Sequence, residues 1–179
     1  MIVYLESSVI LRVVLGQPGR LEEWPTIRRA VTSALAEAEC LRTIDRLQVS
    51  GALTADASAA ARDATHRIIE AVEVVGLSAP VMRHVSQPMP EPLATRDAIH
   101  LATADLWRQE NGADLLLATH VRPLALAARA GTLGAGELTR RVGGDVGSAS
   151  RRRQACRPAC RLCELTMPPR RIDRTGATH

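Results

Sequence analysis

Arg96-Asp97-Ala98-Ile99-His100-Leu101-Ala102-Thr103-Ala104 is the stretch on which the reading of this chain turns. It reads as the opening turns of an amphipathic helix that begins with a carboxylate. Thr95 can cap that helix, and Asp97 in the first turn suits the positive end of its dipole. Ile99, Ala102, Thr103 and Leu106 recur at the helical period and predict a core-facing stripe. Asp97, Leu101 and Ala104 run along another face, with His100 beside them. An acid at a helix start is usually structural, so its meaning depends on which other carboxylates the fold brings to it.

Outward from this stretch, short apolar runs alternate with helical patterns. Ile2-Val3-Tyr4-Leu5 predicts a strand buried on both faces, ended by Glu6-Ser7-Ser8. Val9 to Leu15 predicts a helix closed by Gly16 and Pro18, and a second helix is expected within Leu21 to Arg29, delayed by Pro25. Ala30-Val31-Thr32 predicts a short strand, with Ser33 placed to cap a helix from Ala34 to Gln48 on which Arg42 and Arg46 mark the solvated side. Ala55 to Ile69 and Ala79 to Val85 read as helices, and Val72-Glu73-Val74-Val75 as either a last helical turn or a strand. Asn111-Gly112 stops the helix of the opening stretch. Asp114 to Thr119 is the clearest later strand, and Arg122 to Ala130 a further helix. The alternation implies an α/β sandwich around a mainly parallel sheet.

The 179 residues give room for one domain and an appendage, and a 46% apolar content is that of a globular chain. Aromatic residues make up only 2% and phenylalanine is absent, so the core must come from Leu, Val, Ile and Ala. The net charge of +4 is unevenly placed: residues 1–139 hold 13 arginines and 16 acids, whereas 140–179 hold 10 arginines and 3 acids. The expected organisation is therefore a mildly acidic domain over 1–139 and a basic, disordered extension over 140–179. No apolar run approaches the roughly 18 residues of a membrane span, and the N-terminus lacks the features of a signal peptide. One cysteine, Cys40, lies in the body, which is no extracellular disulfide framework, and a cytoplasmic location is expected.

Ligands of open parallel sheets bind beyond the carboxyl ends of the strands. Glu6 follows the first strand, Thr119-His120-Val121 follows the later one, Glu39 lies about two turns into the helix after Ser33, and Asp97 starts its own helix. If these ends converge, Glu6, Glu39 and Asp97 form an acidic pocket. Three adjacent carboxylates repel one another unless a cation neutralises them, and hard oxygen donors favour Mg²⁺ or Mn²⁺. Such a site can activate water and stabilise charge developing on a phosphodiester. His100, one turn from Asp97, can hydrogen-bond to it, and His120 follows a strand near the pocket; either could carry a proton or simply pack. Trp24 and Trp107 are expected at element edges or at a partner surface, and two tryptophans are too few for a base-stacking platform.

Taken together, Met1 to Ser8, Thr32-Ser33-Ala34-Leu35 leading to Glu39, Asp97 to Ala104, and Thr119-His120 with Leu124, Ala127 and Ala128 resemble PIN-domain ribonucleases, with the VapC-type toxins of bacterial toxin–antitoxin pairs as the nearest branch. The resemblance covers roughly residues 1–130, and its most specific part is the block at 97–104. It implies a PIN-like three-layer α/β/α sandwich, metal-dependent endonucleolytic cleavage of RNA, a cognate antitoxin that buries the active site, and a homodimer. By motif position Glu39 and Asp97 match the family's second and third acids. Ser8 falls close to the first acid and Thr119 close to the fourth, where both would orient ligands.

Two departures stand out. The first acid is Glu6 where the family has Asp, which moves the carboxylate by about one C–C bond, ~1.5 Å. At the fourth acidic position the chain has Val121, which can bind no metal. Asp105 lies two turns along and about 80° around from Asp97. Asp114 precedes its strand and Glu37 faces away from Glu39, so none of the three is a substitute. The alternative to a nuclease of reduced activity is thus a catalytically degenerate PIN module that binds an antitoxin or RNA without cleaving it.

The extension contains Cys156, Cys160 and Cys163, whose spacing evokes a zinc or iron–sulfur site with His179 but lacks a properly spaced fourth ligand, so no metal is expected there. Its arginines can neutralise phosphates without sequence preference. The Gly131–Gly136 stretch is a poor closing strand for a PIN-like sheet, and a read-through or frame-shifted end would explain it; a PIN-like ending in another reading frame of the coding DNA is the observation that tests this.

Overall fold

The computed structural model describes residues 1–18, 21, 24–89 and 91–131. Four strands, β1 (Ile2–Leu5), β2 (Arg29–Ser33), β3 (Glu73–Val75) and β4 (Leu115–Ala118), form one sheet in the order β3-β2-β1-β4. All pairings are parallel: Tyr4 lies opposite Val31 on one side and Leu117 on the other, and Ser33 opposite Val75. Because strand side chains alternate, Val3 and Leu5 enter one apolar layer while Tyr4 enters the other. Both layers are covered, which is why β1 is apolar at every position.

The first layer is built by α1 (Ser7–Val14), α2 (Ala34–Val49) and α3 (Ala55–Ala71), which bury Val9, Ile10, Ala36, Cys40 and Ile68 against Val3 and Leu5. The second is built by α5 (Thr95–Asn111) and α6 (Arg122–Ala130), with Leu101, Ala104, Trp107, Leu124 and Ala127 against Tyr4, Val31 and Leu117. A short helix, α4 (Ala79–Val85), packs Val81 on Ile99 and Ala102. The fold is therefore the expected α/β/α sandwich around a parallel sheet. Each fully buried aliphatic side chain in these layers contributes roughly 1.5–3 kcal/mol.

Local signals account for most boundaries. Ser33 accepts a hydrogen bond from the Leu35 amide at 3.2 Å and Thr54 one from the Ala57 amide at 3.2 Å, capping α2 and α3. Gly112 ends α5 in the left-handed region, with φ of 57°. Val72 leaves the helix, and the next three residues pair with β2, so the ambiguous segment is a strand.

Three expectations are corrected. Trp24–Thr26 is a single 3₁₀ turn and no helix extends to Arg29, because Pro25 supplies no amide and Arg29 is already paired with Ile2 in the sheet. Thr95 is the first residue of α5, which Ala94 caps without a side-chain bond. The 97–104 stretch is buried on both faces, one against the sheet and the other against α4 and Leu35. Trp24 and Trp107 are also buried.

Among the described residues no helix is long and apolar enough to cross a membrane. The boundary at 139, the basic extension over 140–179 with its cysteine cluster, and the 132–136 stretch lie outside the described residues.

Candidate active site

The carboxyl ends of β1, β2 and β4 share one edge of the sheet, and each hands the chain to a helix there. Thr32 donates its hydroxyl to the Leu5 carbonyl at 2.7 Å, and the Glu6 amide donates to the Ala118 carbonyl at 3.1 Å, which ties the three strand ends together. Glu6 is the N-cap of α1, yet its buried side chain makes no capping bond. Its carboxylate accepts instead from three hydroxyls: Ser7 at 2.6 Å on Oε1, and Ser8 and, at 2.9 Å, Thr119 on Oε2.

Those hydroxyls in turn accept from the loop after β4. The His120 amide donates to Ser8 at 3.0 Å and the Val121 amide to Thr119 at 3.0 Å. Ser8 and Thr119 thus both hold the Glu6 carboxylate, and Ser7 joins them although nothing in the sequence pattern distinguishes it. A carboxylate has about four acceptor positions, so Glu6 retains about one for a cation.

Glu39 projects from α2 toward the same edge. Its Oε2 accepts from Nε2 of His100 at 2.8 Å, and the Nδ1 of that ring lies 2.9 Å from the Tyr4 hydroxyl. His100 is completely buried, packed as one of its two readings allows, and its ring bonds Glu39 across the helix interface. The ring points into the interior between β1 and α2, where both of its nitrogens are engaged. Burial works against ionisation of Glu39, but the hydrogen bond and charge of His100, aided by Ser7 and Arg96, outweigh it and hold the carboxyl below its usual range.

Asp97 is buried at the start of α5, with Nε of Arg96 3.5 Å from its Oδ1. Burial pushes its pKa up, Arg96 opposes the rise, and the neighbouring charges of Glu6 and Glu39 add to it. The same Arg96 nitrogen lies 4.0 Å from Glu39. The three carboxylates therefore share one electrostatic environment. The tightest group, however, is Glu6, Glu39 and His100, each offering a ligand atom within 4.8 Å of the others. Asp97 is not part of that trio.

An octahedral ion at roughly 2.1 Å from its donors holds them about 3–4.2 Å apart, so small side-chain movements bring Glu6 and Glu39 into range. With Nε2 of His100 engaged by Glu39, the donors left for a divalent cation are Glu6, Glu39 and Asp97. The residues present fit such an ion.

A cavity of about 350 Å³ opens beside these acids, lined among others by Glu6, Ser8, Glu39 and Val121. Val121, at the N-cap of α6, fills with an apolar side chain the place where the resemblance puts a fourth acid. His120 is half-buried, and its Nδ1 has no partner among the described residues. Burial first, and Arg12 second, lower its pKa, against the pull of Glu6.

A parallel sheet with an acidic group at its carboxyl edge is an α/β fold with a candidate cation site. The PIN domain family matches residues 3–120, and the chain belongs to that family. PIN domains are typically metal-dependent nucleases, and Glu6 and Glu39, with His100, form a group of the kind that could hold a metal ion. No curated protein matches the chain.

Proposed function

We propose that this chain is a metal-dependent endoribonuclease of the VapC type, the toxin of a cytoplasmic toxin–antitoxin pair. What supports the reading is the PIN-domain match together with the close approach of Glu6, Glu39 and His100, while the exposed Arg96 lies within 4.0 Å of both Glu39 and Asp97. Mg²⁺ or Mn²⁺ suits that donor set. When bound, such an ion acidifies water and offsets charge on a phosphodiester.

The chain's own residues do the rest. Ser7, Ser8 and Thr119 fix the Glu6 carboxylate in one rotamer. His100, braced by Tyr4, holds Glu39 and keeps it ionised. Asp97, on a helix buried on both sides, supplies a third carboxylate on a rigid support. The cavity admits a single strand of RNA to these groups. The resemblance at 97–104 is what supports the finer parts of the reading: an antitoxin covering the cavity, and a homodimer.

Val121 favours a second reading, a PIN module that binds antitoxin or RNA without cleaving. Two measurements on the purified chain separate the two: calorimetric titration with Mg²⁺ and Mn²⁺, and cleavage of a single-stranded RNA with and without chelator. Saturable metal binding with chelator-sensitive cleavage supports the nuclease; neither, in a folded chain, leaves the binding module.

A further inference from the structure

Helix α2 presents charge on two sides, and the two are treated differently. Toward α3 its acids are paired: Glu37 with His66 at 3.0 Å, and Asp45 with Arg62. Toward the cavity run Glu39, Arg42, Thr43 and Arg46, at the spacing of one helical face. Arg42 has no hydrogen-bond or ion-pair partner among the described residues, and Arg46 donates only to the Thr43 hydroxyl, at 2.9 Å. Both are exposed. In a body with 16 acids to 13 arginines, two cavity-facing guanidiniums without a carboxylate stand out from their surroundings.

Their position gives them a use. The two residues are one turn apart, about 6 Å along the axis, with Glu39 less than one turn before Arg42. The wall of the cavity therefore passes from carboxylates to guanidiniums in a straight line. Arginine's planar fork matches phosphate oxygens, and successive phosphates of an extended strand are met by cations at successive turns.

We propose that Arg42 and Arg46 form a subsite for the backbone phosphates of a single-stranded RNA beside the scissile bond. The proposal rests on the nuclease reading for the location of that bond, and not for binding itself. The subsite recognises phosphate and not base, so it sets affinity and strand path without sequence preference.

The test is fluorescence anisotropy of the full-length chain with a labelled single-stranded RNA of about 12 nucleotides, in EDTA, over a range of KCl concentrations. Arg42→Ala/Arg46→Ala should flatten the slope of log K against log salt by about 1.4, the value for two single-strand contacts, and weaken binding roughly 25-fold at 0.1 M salt. Arg42→Lys/Arg46→Lys should recover most of the slope. Arg67→Ala, an exposed arginine on α3, should change nothing.

An unchanged slope in the double alanine variant overturns the subsite and assigns RNA affinity elsewhere, the arginine-rich extension included. So does a parent that binds no RNA, or a variant that loses affinity for an acidic protein partner alone. Cleavage is read separately. If the parent binds through these arginines but does not cleave, the subsite stands and the nuclease reading falls. If parent and variant cleave with equal KM, the nuclease stands and the subsite falls.

Discussion

Helix α5 lies against a carboxylate site at each end, and the two are built on opposite principles. Near its C-terminus, Trp107 donates its indole N–H to Glu73 at 2.8 Å, and Arg29 pairs with the same carboxylate at 2.6 Å while lying 4.8 Å from the Trp107 ring centre. The Trp107 hydrogen bond, then Arg29, hold Glu73 below the usual carboxyl range despite its slight burial. At the N-terminus, among the described residues, Asp97 shares one exposed guanidinium with Glu39, which also bonds His100, and Glu6 has only neutral hydroxyls. A structural carboxylate brings its own cation. The group at the other end is short of positive charge, which is what a divalent ion supplies.

The sharpest way to break this contrast is Asp97→Asn. Loss of a charge that meets the phosphate's counter-ion should lower metal-dependent cleavage by roughly 10²-fold or more. Its effect on stability should have the opposite sign. Asp97 has a raised pKa in the fold, so the folded chain binds that proton more tightly than the unfolded one, and ionisation at pH 7 is destabilising. The Asn variant should therefore melt higher than the parent at pH 7, and the difference should close as pH falls and Asp97 of the parent takes up its proton. Calorimetric melts from pH 4 to 8 read this directly. A lower melting point at pH 7 would place Asp97 with Glu73 among structural acids.

Val121→Asp tests the gap across the cavity. The substitution adds a carboxylate to the cavity wall and a capping group to α6, which has none. Metal affinity by calorimetry should rise about tenfold, the scale on which groups around a metal site act, and cleavage should rise with it. The cap alone contributes about 1 kcal/mol. A stability gain without a gain in metal affinity would mean that position 121 serves only the helix.

Much of this was legible in the chain. The strand–helix alternation, the parallel sheet and the bounds of α4 and α6 follow from apolar periodicity and from Ser, Pro and Gly punctuation. The convergence of Glu6 and Glu39 follows from the rule that parallel strands end at one edge. What was not legible is side-chain direction. The sequence leaves His100 free to reach Asp97, three residues away on its own helix, or to pack, because a ring in a tightly packed layer is oriented by what lies across it, here Tyr4 and Glu39. Arg42 and Arg46 read as a solvated face, since periodicity shows which residues share a side but not that the side borders a cavity. Ser7 follows Glu6 in a pattern that any helix start can show. From Trp24 to Arg29 the helix is no more than a 3₁₀ turn because Pro25 and the β2 register act together, and only the first is visible in sequence.

Glu39→Gln probes the half of the acidic cluster that resembles Glu73. Glu39 is lowered in the fold, so its ionised form stabilises the folded chain at pH values above its unfolded pKa, and that contribution disappears as pH falls through the folded value. Glu39→Gln should therefore melt below the parent at pH 7 and converge with it in acid, the mirror image of Asp97→Asn. Parallel behaviour of the two variants would show that burial, and not His100, governs both carboxylates.

The smallest effect is expected at the other end of the helix. Glu73→Gln removes the charge facing Arg29 but keeps an oxygen for the Trp107 N–H. Glu73 and Arg29 are 38% and 48% exposed, so water already screens the pair and its loss should cost no more than about 1 kcal/mol. For a chain of this size that is a fall of roughly 2–4 °C in Tm, with metal affinity and cleavage unchanged. The cluster lies about 15 Å along α5 from Asp97, further than screened charges reach at physiological salt. If Glu73→Gln nevertheless weakened metal binding, the two ends would be coupled through α5. The helix would then be an adjustable link between the sheet edges and not a rigid support, and Asp97 would owe its position in part to the distant pairing of Arg29 and Trp107.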